Sequence, residues 1–144
     1  PRLPIVAAVA SKGRGDRGPM MLNLPVIRRI AFVIGVLLPL AETIRRSSAL
    51  GEWWLWIDDF LIGGALLAGA WASRSGSAPG LRSLAAAWGI AAGMGYYSLV
   101  GHILRVGEQD VSGLPGWVIT LVIGLGWLLV VYALMSTILV DRQR

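Results

Sequence analysis

The chain has 144 residues, of which 56% are hydrophobic and 15% charged, with a net charge of +5 and a mean hydropathy of +0.68. A soluble domain carries about a quarter charged residues, so this composition predicts a protein whose solvent is the lipid bilayer. The charges lie between apolar stretches rather than in a stripe with exposed aromatics, so no nucleic-acid partner is predicted. The sequence has no cysteine and one histidine, which excludes disulfides, cysteine-based metal sites and a bis-histidine haem within one chain. No cofactor and no metal site are predicted.

Residues 1–21 are predicted to form a disordered basic tail. Their apolar piece, Ile5 to Ala10, is too short to span a bilayer, and several glycines after it break any helix. A signal peptide is the competing interpretation, although its apolar region is short and only Arg2 precedes it. Because the chain does not begin with methionine, we hypothesise that the residues before Met20 are an upstream extension. The natural protein would then start at Met20 or Met21.

Four apolar stretches follow, each long enough to cross a hydrocarbon core of about 30 Å at about 1.5 Å per residue. They cover about 26–44, 53–71, 84–104 and 117–140. The segment 73–80, rich in serine, glycine and proline, is predicted to be a linker. The predicted fold class is therefore all-α, a polytopic membrane protein in which residues 22–144 form a bundle of four antiparallel transmembrane helices.

The distribution of lysine and arginine predicts the orientation of this bundle. Ten of the 13 basic residues lie in the N-terminal tail, the second connection and the C-terminus, whereas Arg45, Arg46 and Arg105 lie on the other side. The positive-inside rule then places both termini in the cytoplasm and the first and third connections outside. The predicted location is a bacterial inner membrane.

Glycines within the apolar stretches predict close packing of helices. Gly64 and Gly69 lie in the second stretch, and Gly89 and Gly93 are four residues apart in the third. Small residues at this spacing let helix backbones approach each other in a membrane. We favour packing within the chain over the alternative, a homo-oligomer interface.

Six of the eight acidic residues fall at or near the outer end of the predicted bundle: Glu42, Glu52, Asp58, Asp59, Glu108 and Asp110. Short connections bring the outer ends of the first three helices together. We therefore expect Glu42, the aspartate pair and His102 to converge on an outward-facing polar pocket, with Arg46 and Arg105 beside it.

Each member of this candidate pocket also has a structural interpretation. Glu42 precedes Arg45 and Arg46 by three and four residues, which favours a local ion pair. Asp58 and Asp59 lie about 100° apart around a helix, so at most one points into the bundle. Both also suit the positive end of a helix, although ionisable residues below the interface are functional by default.

His102 is predicted near a helix C-terminus, where a histidine is electrostatically favoured. The functional alternatives are a proton relay with the aspartate pair or one ligand of a metal shared with carboxylates. Trp53, Trp54, Trp56 and Trp117 are predicted to form an aromatic belt at the outer interface. The alternative is an aromatic mouth for a lipid, quinone or cation.

No family is recognised in the motifs of the sequence, which has neither a phosphate-binding glycine loop nor an HExxH motif. The first hypothesis is a non-enzymatic subunit or accessory factor that acts by helix–helix association, with the bilayer and a membrane protein or a second copy as partners. The second is a small proton-coupled carrier in which Asp58 or Asp59 titrates and His102 relays the proton. The third is an enzyme acting on a lipid or isoprenoid head group.

Overall fold

The structure is a computed structural model that describes residues 23–45, 57–110 and 112–143. These residues form four α-helices and no strand, which confirms the all-helical prediction for the described part of the chain. The helices are α1 (Leu24–Arg45), α2 (Ile57–Ala72), α3 (Ala78–Ile103) and α4 (Gly116–Arg142), with a short 3-10 turn, Ser73–Ser75, after α2.

Each helix packs mainly on its neighbours in sequence, and α1 meets α4 over only a small part of its length. Two contacts show which helix ends lie together. Arg28 at the start of α1 reaches the Ser73 carbonyl beyond α2, and Arg45 at the end of α1 reaches Asp110 between α3 and α4. The first end is here called the basic end, and it holds Arg28, Arg29, Arg74, Arg82 and Arg142. The opposite end is called the acidic end, and it holds Glu42, Asp58, Asp59, Glu108 and Asp110.

The connection between α2 and α3 is shorter than the predicted linker. Gly76 closes the 3-10 turn in the left-handed conformation, at φ 67°. Ser77 then caps α3 by accepting a hydrogen bond from the Gly80 N–H at 3.4 Å, and Pro79 occupies the first turn, where its missing N–H costs nothing. The helix therefore begins at Ala78 rather than near Leu84, because serine and proline start it.

The hydrophobic core lies towards the basic end, and all four helices contribute to it. Its residues are Ile27, Ala31, Ile62, Leu66, Ala70, Leu84, Ala87, Trp88, Ala91, Val130 and Ala133. Trp88 is the largest side chain in it that is wholly buried. Several members are alanines, which let the helices pack closely around the larger side chains.

Glycines mark the closest approach of α1 to α2. A Cβ added to Gly63 would lie 2.6 Å from the Gly35 carbonyl oxygen and 2.7 Å from Cγ of Pro39. A Cβ on Gly35 would in turn lie 2.9 Å from the Gly63 carbonyl oxygen. These separations are shorter than van der Waals contact, so the backbones meet at a place that only glycine permits.

Two of the helices, α1 and α4, are long and apolar enough to cross a membrane. Only 17% of the most apolar stretch of α1 and 11% of that of α4 is buried, which differs from a core helix of a soluble protein. The described part of α2 has 16 residues, and glycine, serine and tyrosine make α3 less apolar. The structural support for a membrane location therefore comes from α1 and α4.

Candidate functional site

A network of charged side chains joins α1 to the α3–α4 connection at the acidic end. Arg45 donates from Nε to Oε2 and from Nη2 to Oε1 of Glu42, each at 2.7 Å. Its Nη1 donates to Oδ1 of Asp110 at 2.9 Å. The side chains of Arg45, Glu42 and Asp110 are 21%, 12% and 9% exposed. A guanidinium thus bridges two carboxylates in a partly buried setting, where charge-assisted hydrogen bonds are strong.

Asp110 is held in place by the turn that precedes α4. Its Oδ2 accepts hydrogen bonds from the backbone N–H of Ser112 at 2.9 Å and from the Ser112 hydroxyl at 2.6 Å. Its backbone carbonyl accepts from the N–H of Gly113, which has a φ of +81°. Aspartate followed by serine and glycine is a turn-forming combination, because the side chain accepts from its own backbone two residues on.

The hydrogen bonds and charges around Asp110 lower the pKa of its carboxyl group. Burial tends to raise that pKa, but the two Ser112 hydrogen bonds, Arg45 and His102 outweigh it, so the pKa is lowered. Asp110 is therefore held in its ionised form.

The aspartate pair divides between two environments. Asp58 is exposed, and its Oδ1 accepts a hydrogen bond from the Asp59 N–H at 3.1 Å in the first turn of α2. Asp59 is half-buried in the same turn. Adjacent residues of a helix point about 100° apart, which accounts for the difference in exposure between the two aspartates.

His102 lies in the last turn of α3. Its Nδ1 lies 2.9 Å from the Ser98 carbonyl oxygen, one turn back on the same helix. A carbonyl oxygen only accepts, so Nδ1 carries the proton and Nε2 is the acceptor in the neutral imidazole. The ion pair predicted between Glu42 and Arg45 is present, and Asp110, which the predicted pocket did not include, joins it. The convergence of Glu42, the aspartate pair and His102 on one pocket stays a prediction.

A cavity of about 610 Å³ lies beside this network, against the end of α3 and the turn that follows. Its polar lining includes His102, Arg105, Glu108 and Asp110, whereas neither Asp58 nor Asp59 lines it. Arg105 is exposed in the turn after α3. Within 23–45, 57–110 and 112–143, no group of three or more histidine and acidic side chains is placed to hold a metal ion.

Several predicted site residues lie outside the described residues. These are Arg46 and the belt tryptophans Trp53, Trp54 and Trp56. The fourth belt residue, Trp117, is 59% exposed at the start of α4, at the acidic end. Its position is compatible with an interfacial aromatic residue.

The predicted packing glycines divide into one that packs and three that do not. A Cβ on Gly69 would lie 3.0 Å from Cα of Leu84, so Gly69 belongs to the contact between α2 and α3. At Gly64, Gly89 and Gly93, no atom of the described chain comes within 4 Å of an added Cβ. Within the described residues these three glycines lie on faces that no neighbouring helix covers, so their predicted role in packing within the chain stays a prediction.

Three features of the structure were missed in the sequence. The first is the close backbone contact between Gly35 and Gly63. The sequence could have indicated it, because Gly35 is the single glycine of α1. Asp110 anchors the charge network, which its Asp-Val-Ser-Gly turn sequence signalled. Trp127 of α4 donates from Nε1 to the Ala92 carbonyl of α3 at 2.9 Å. That bond joins residues 35 apart and leaves no local pattern in the sequence.

Comparison with family models, with curated proteins and with solved structures finds no match for this chain.

Proposed function

We propose that all four helices cross the membrane as an antiparallel bundle, with the basic end in the cytoplasm of a bacterial cell. The large apolar side chains that α1 and α4 expose are the support for this arrangement, because a water-soluble protein rarely leaves so much contiguous apolar surface uncovered. At about 1.5 Å per residue, the 26 residues of α3 reach about 39 Å, which exceeds a hydrocarbon core. The positive-inside rule gives the orientation.

Within that bundle, we propose that the protein acts as a subunit or accessory factor through helix–helix association. The observation that carries the proposal is a face of α3 left open by the rest of the described chain. It bears Ala86, Gly89, Gly93 and Tyr97, spaced three or four residues apart, and Tyr97 is 83% exposed. Lipid provides no hydrophobic drive for association, so an open glycine face favours contact with another helix through close backbone packing.

The charged residues at the acidic end support a structural role for that end. Glu42, Arg45 and Asp110 are bonded to each other, and His102 is bonded to its own helix. The carrier hypothesis requires Asp58 or Asp59 to exchange protons with a water-filled pocket, and neither lines the cavity there. Normal proton-linked flux in both Asp58→Asn and Asp59→Asn vesicles would exclude that second hypothesis.

The association hypothesis is tested with Gly93→Leu, which places a bulky side chain on the open face of α3. Overpacking a close helix contact costs about 1–3 kcal/mol, so the association constant should fall by roughly 5- to 150-fold. The measurement is cross-linking in native membranes followed by separation of the complexes in mild detergent. The partner species, a second copy or another membrane protein, is identified from the same cross-linked band.

Gly126→Leu is the matched control, because Gly126 is also exposed in a helix with no described atom within 4 Å of an added Cβ. Gly126→Leu should leave the associated species unchanged. Recovery of the unsubstituted protein solely as a monomer without partner, or equal association of both variants, would contradict the proposal.

A further inference from the structure

A groove of about 710 Å³ lies between α1 and α2 at the basic end. Its rim is formed by three arginines: Arg28 and Arg29 of α1 and Arg74 beyond α2. Its floor is apolar and includes Phe32, Leu67 and Trp71. Among the described residues that line this groove, none is acidic, so the rim presents positive charge alone.

The structure fixes two of the three rim arginines. Arg28 donates from Nη1 to the carbonyls of Ser73 and Arg74, at 3.3 and 3.2 Å. Because these carbonyls lie at the negative end of α2, the positive charge is favoured there and Arg28 is held at the rim. The guanidinium of Arg74 lies 3.9 Å from the centroid of the Trp71 ring, a cation–π contact. Stacking leaves the N–H edge of that guanidinium available to an anion.

The apolar floor continues the groove away from the rim along the helices. Phe32 lies one turn beyond Arg29 on α1 and is 54% exposed. On α2, Leu67 lies about two helical turns before Arg74, which follows the helix. Trp71 lies between these two residues in the sequence and is 67% exposed. A ligand that fits this groove therefore has an anionic end at the rim and an apolar chain along α1 and α2.

We propose that this groove binds an anionic phospholipid of the cytoplasmic leaflet, with its phosphate at Arg29 and Arg74 and an acyl chain along Phe32 and Leu67. Basic pockets between membrane helices on the cytoplasmic side are suited to anionic headgroups by charge. A free phosphate ion could bind the arginines of the rim but would leave the apolar floor without a ligand. We therefore assign the groove to a phospholipid rather than to a free anion. This inference depends on the membrane orientation proposed above.

The test compares bound lipid in purified protein from vesicles of phosphatidylglycerol and phosphatidylcholine mixed at a known ratio. The unsubstituted protein should retain phosphatidylglycerol well above its share of the vesicle lipid. Arg29→Gln and Arg74→Gln each remove a charge-assisted hydrogen bond to the phosphate, so each should lower that enrichment about tenfold or more. Arg28→Gln is avoided because Arg28 also caps α2.

Arg142→Gln is the control, since Arg142 is an exposed arginine at the same end and does not line the groove. It should leave the enrichment unchanged. Equal enrichment in Arg29→Gln, Arg74→Gln and Arg142→Gln would overturn the site, and so would phosphatidylcholine binding as well as phosphatidylglycerol. Displacement of the lipid by millimolar inorganic phosphate would identify a free-anion site instead and overturn the lipid assignment.

The lipid measurement also separates this inference from the proposed function. Loss of lipid preference in a protein that still associates through α3 would overturn the groove assignment alone. Failure of the protein to insert into vesicles of either lipid would overturn both the groove assignment and the membrane bundle. Retained preference in a protein without an associated partner would leave the groove standing and contradict the subunit role.

Discussion

At the scale of single residues, Arg45 is the side chain on which the acidic end depends. It holds Glu42 from its own helix and Asp110 from a connection 65 residues away. Both carboxylate side chains are largely covered by protein, at 12% and 9% exposed. Removing one partner of such a pair leaves uncompensated charge, which costs more than the pair itself contributes.

Arg45→Met should therefore lower the free energy of unfolding by roughly 2–3 kcal/mol, because both carboxylates lose their charge-assisted hydrogen bonds. Unfolding in mixed detergent micelles, followed by circular dichroism, measures this loss. Arg105→Met removes the same charge from an exposed position at the same end and should change stability by less than about 0.5 kcal/mol. Equal effects of the two substitutions would mean that the bridge contributes nothing.

Asp110 should also make the free energy of unfolding depend on pH. Its pKa in the folded chain is lowered below the ordinary value of 3.8, so the stability it contributes is fully present above pH 3.8. As the pH falls further, the unfolded chain binds the proton first, and the contribution is lost as the pH passes through the folded pKa.

Comparing the melting temperature of the unsubstituted protein with that of Asp110→Asn between pH 2 and 6 isolates this group from other acids. The two melting temperatures should differ most near pH 6 and converge towards pH 2. A gap that stays constant over this range would show that the carboxylate charge is not what Ser112 and Arg45 stabilise.

At the scale of elements, the contact of α1 with α2 depends on Gly63 and not on the adjacent Gly64. Gly63→Ala would place a methyl group against the Gly35 carbonyl and the Pro39 ring, so it should cost about 1–3 kcal/mol by overpacking. Gly64→Ala meets no described atom within 4 Å and should be neutral or stabilising by up to about 1 kcal/mol. Unfolding of the two variants in the same micelles measures the difference, and the reverse order would contradict the described α1–α2 packing.

The elements themselves follow closely from the sequence. Apolar length predicted helices at all four places, and the described parts of those places are helical. The start of α3 was missed because a serine–proline sequence resembles a linker by composition, although Ser77 and Pro79 are helix-starting residues. Which of two adjacent glycines packs was not predictable, since apolar neighbours on every side of α2 leave no polar face to fix its rotation.

At the scale of the whole molecule, basic residues collect at one end of the described helices and acidic residues at the other. Counting the charged residues in each connection of the sequence predicted this separation. The spacing of Glu42 and Arg45 predicted their ion pair, which the structure contains. The bond from Arg45 to Asp110 was not predictable, because it depends on how the turn around Asp110 folds back towards α1. Contacts across 65 residues have no sequence period, so sequence patterns predict the end at which residues meet but not their partners.

The most direct test of the central claim, a four-span bundle with its basic end inside, uses the absence of cysteine in the sequence. Single cysteines are introduced at Ser48, Ser75, Leu114 and Gln143 and labelled with a membrane-impermeant maleimide in a bacterial host. The account predicts that Ser48→Cys and Leu114→Cys react in intact cells, whereas Ser75→Cys and Gln143→Cys react only after permeabilisation. Labelling of Ser75→Cys and Leu114→Cys from the same side would contradict it, because α3 would then not cross the membrane.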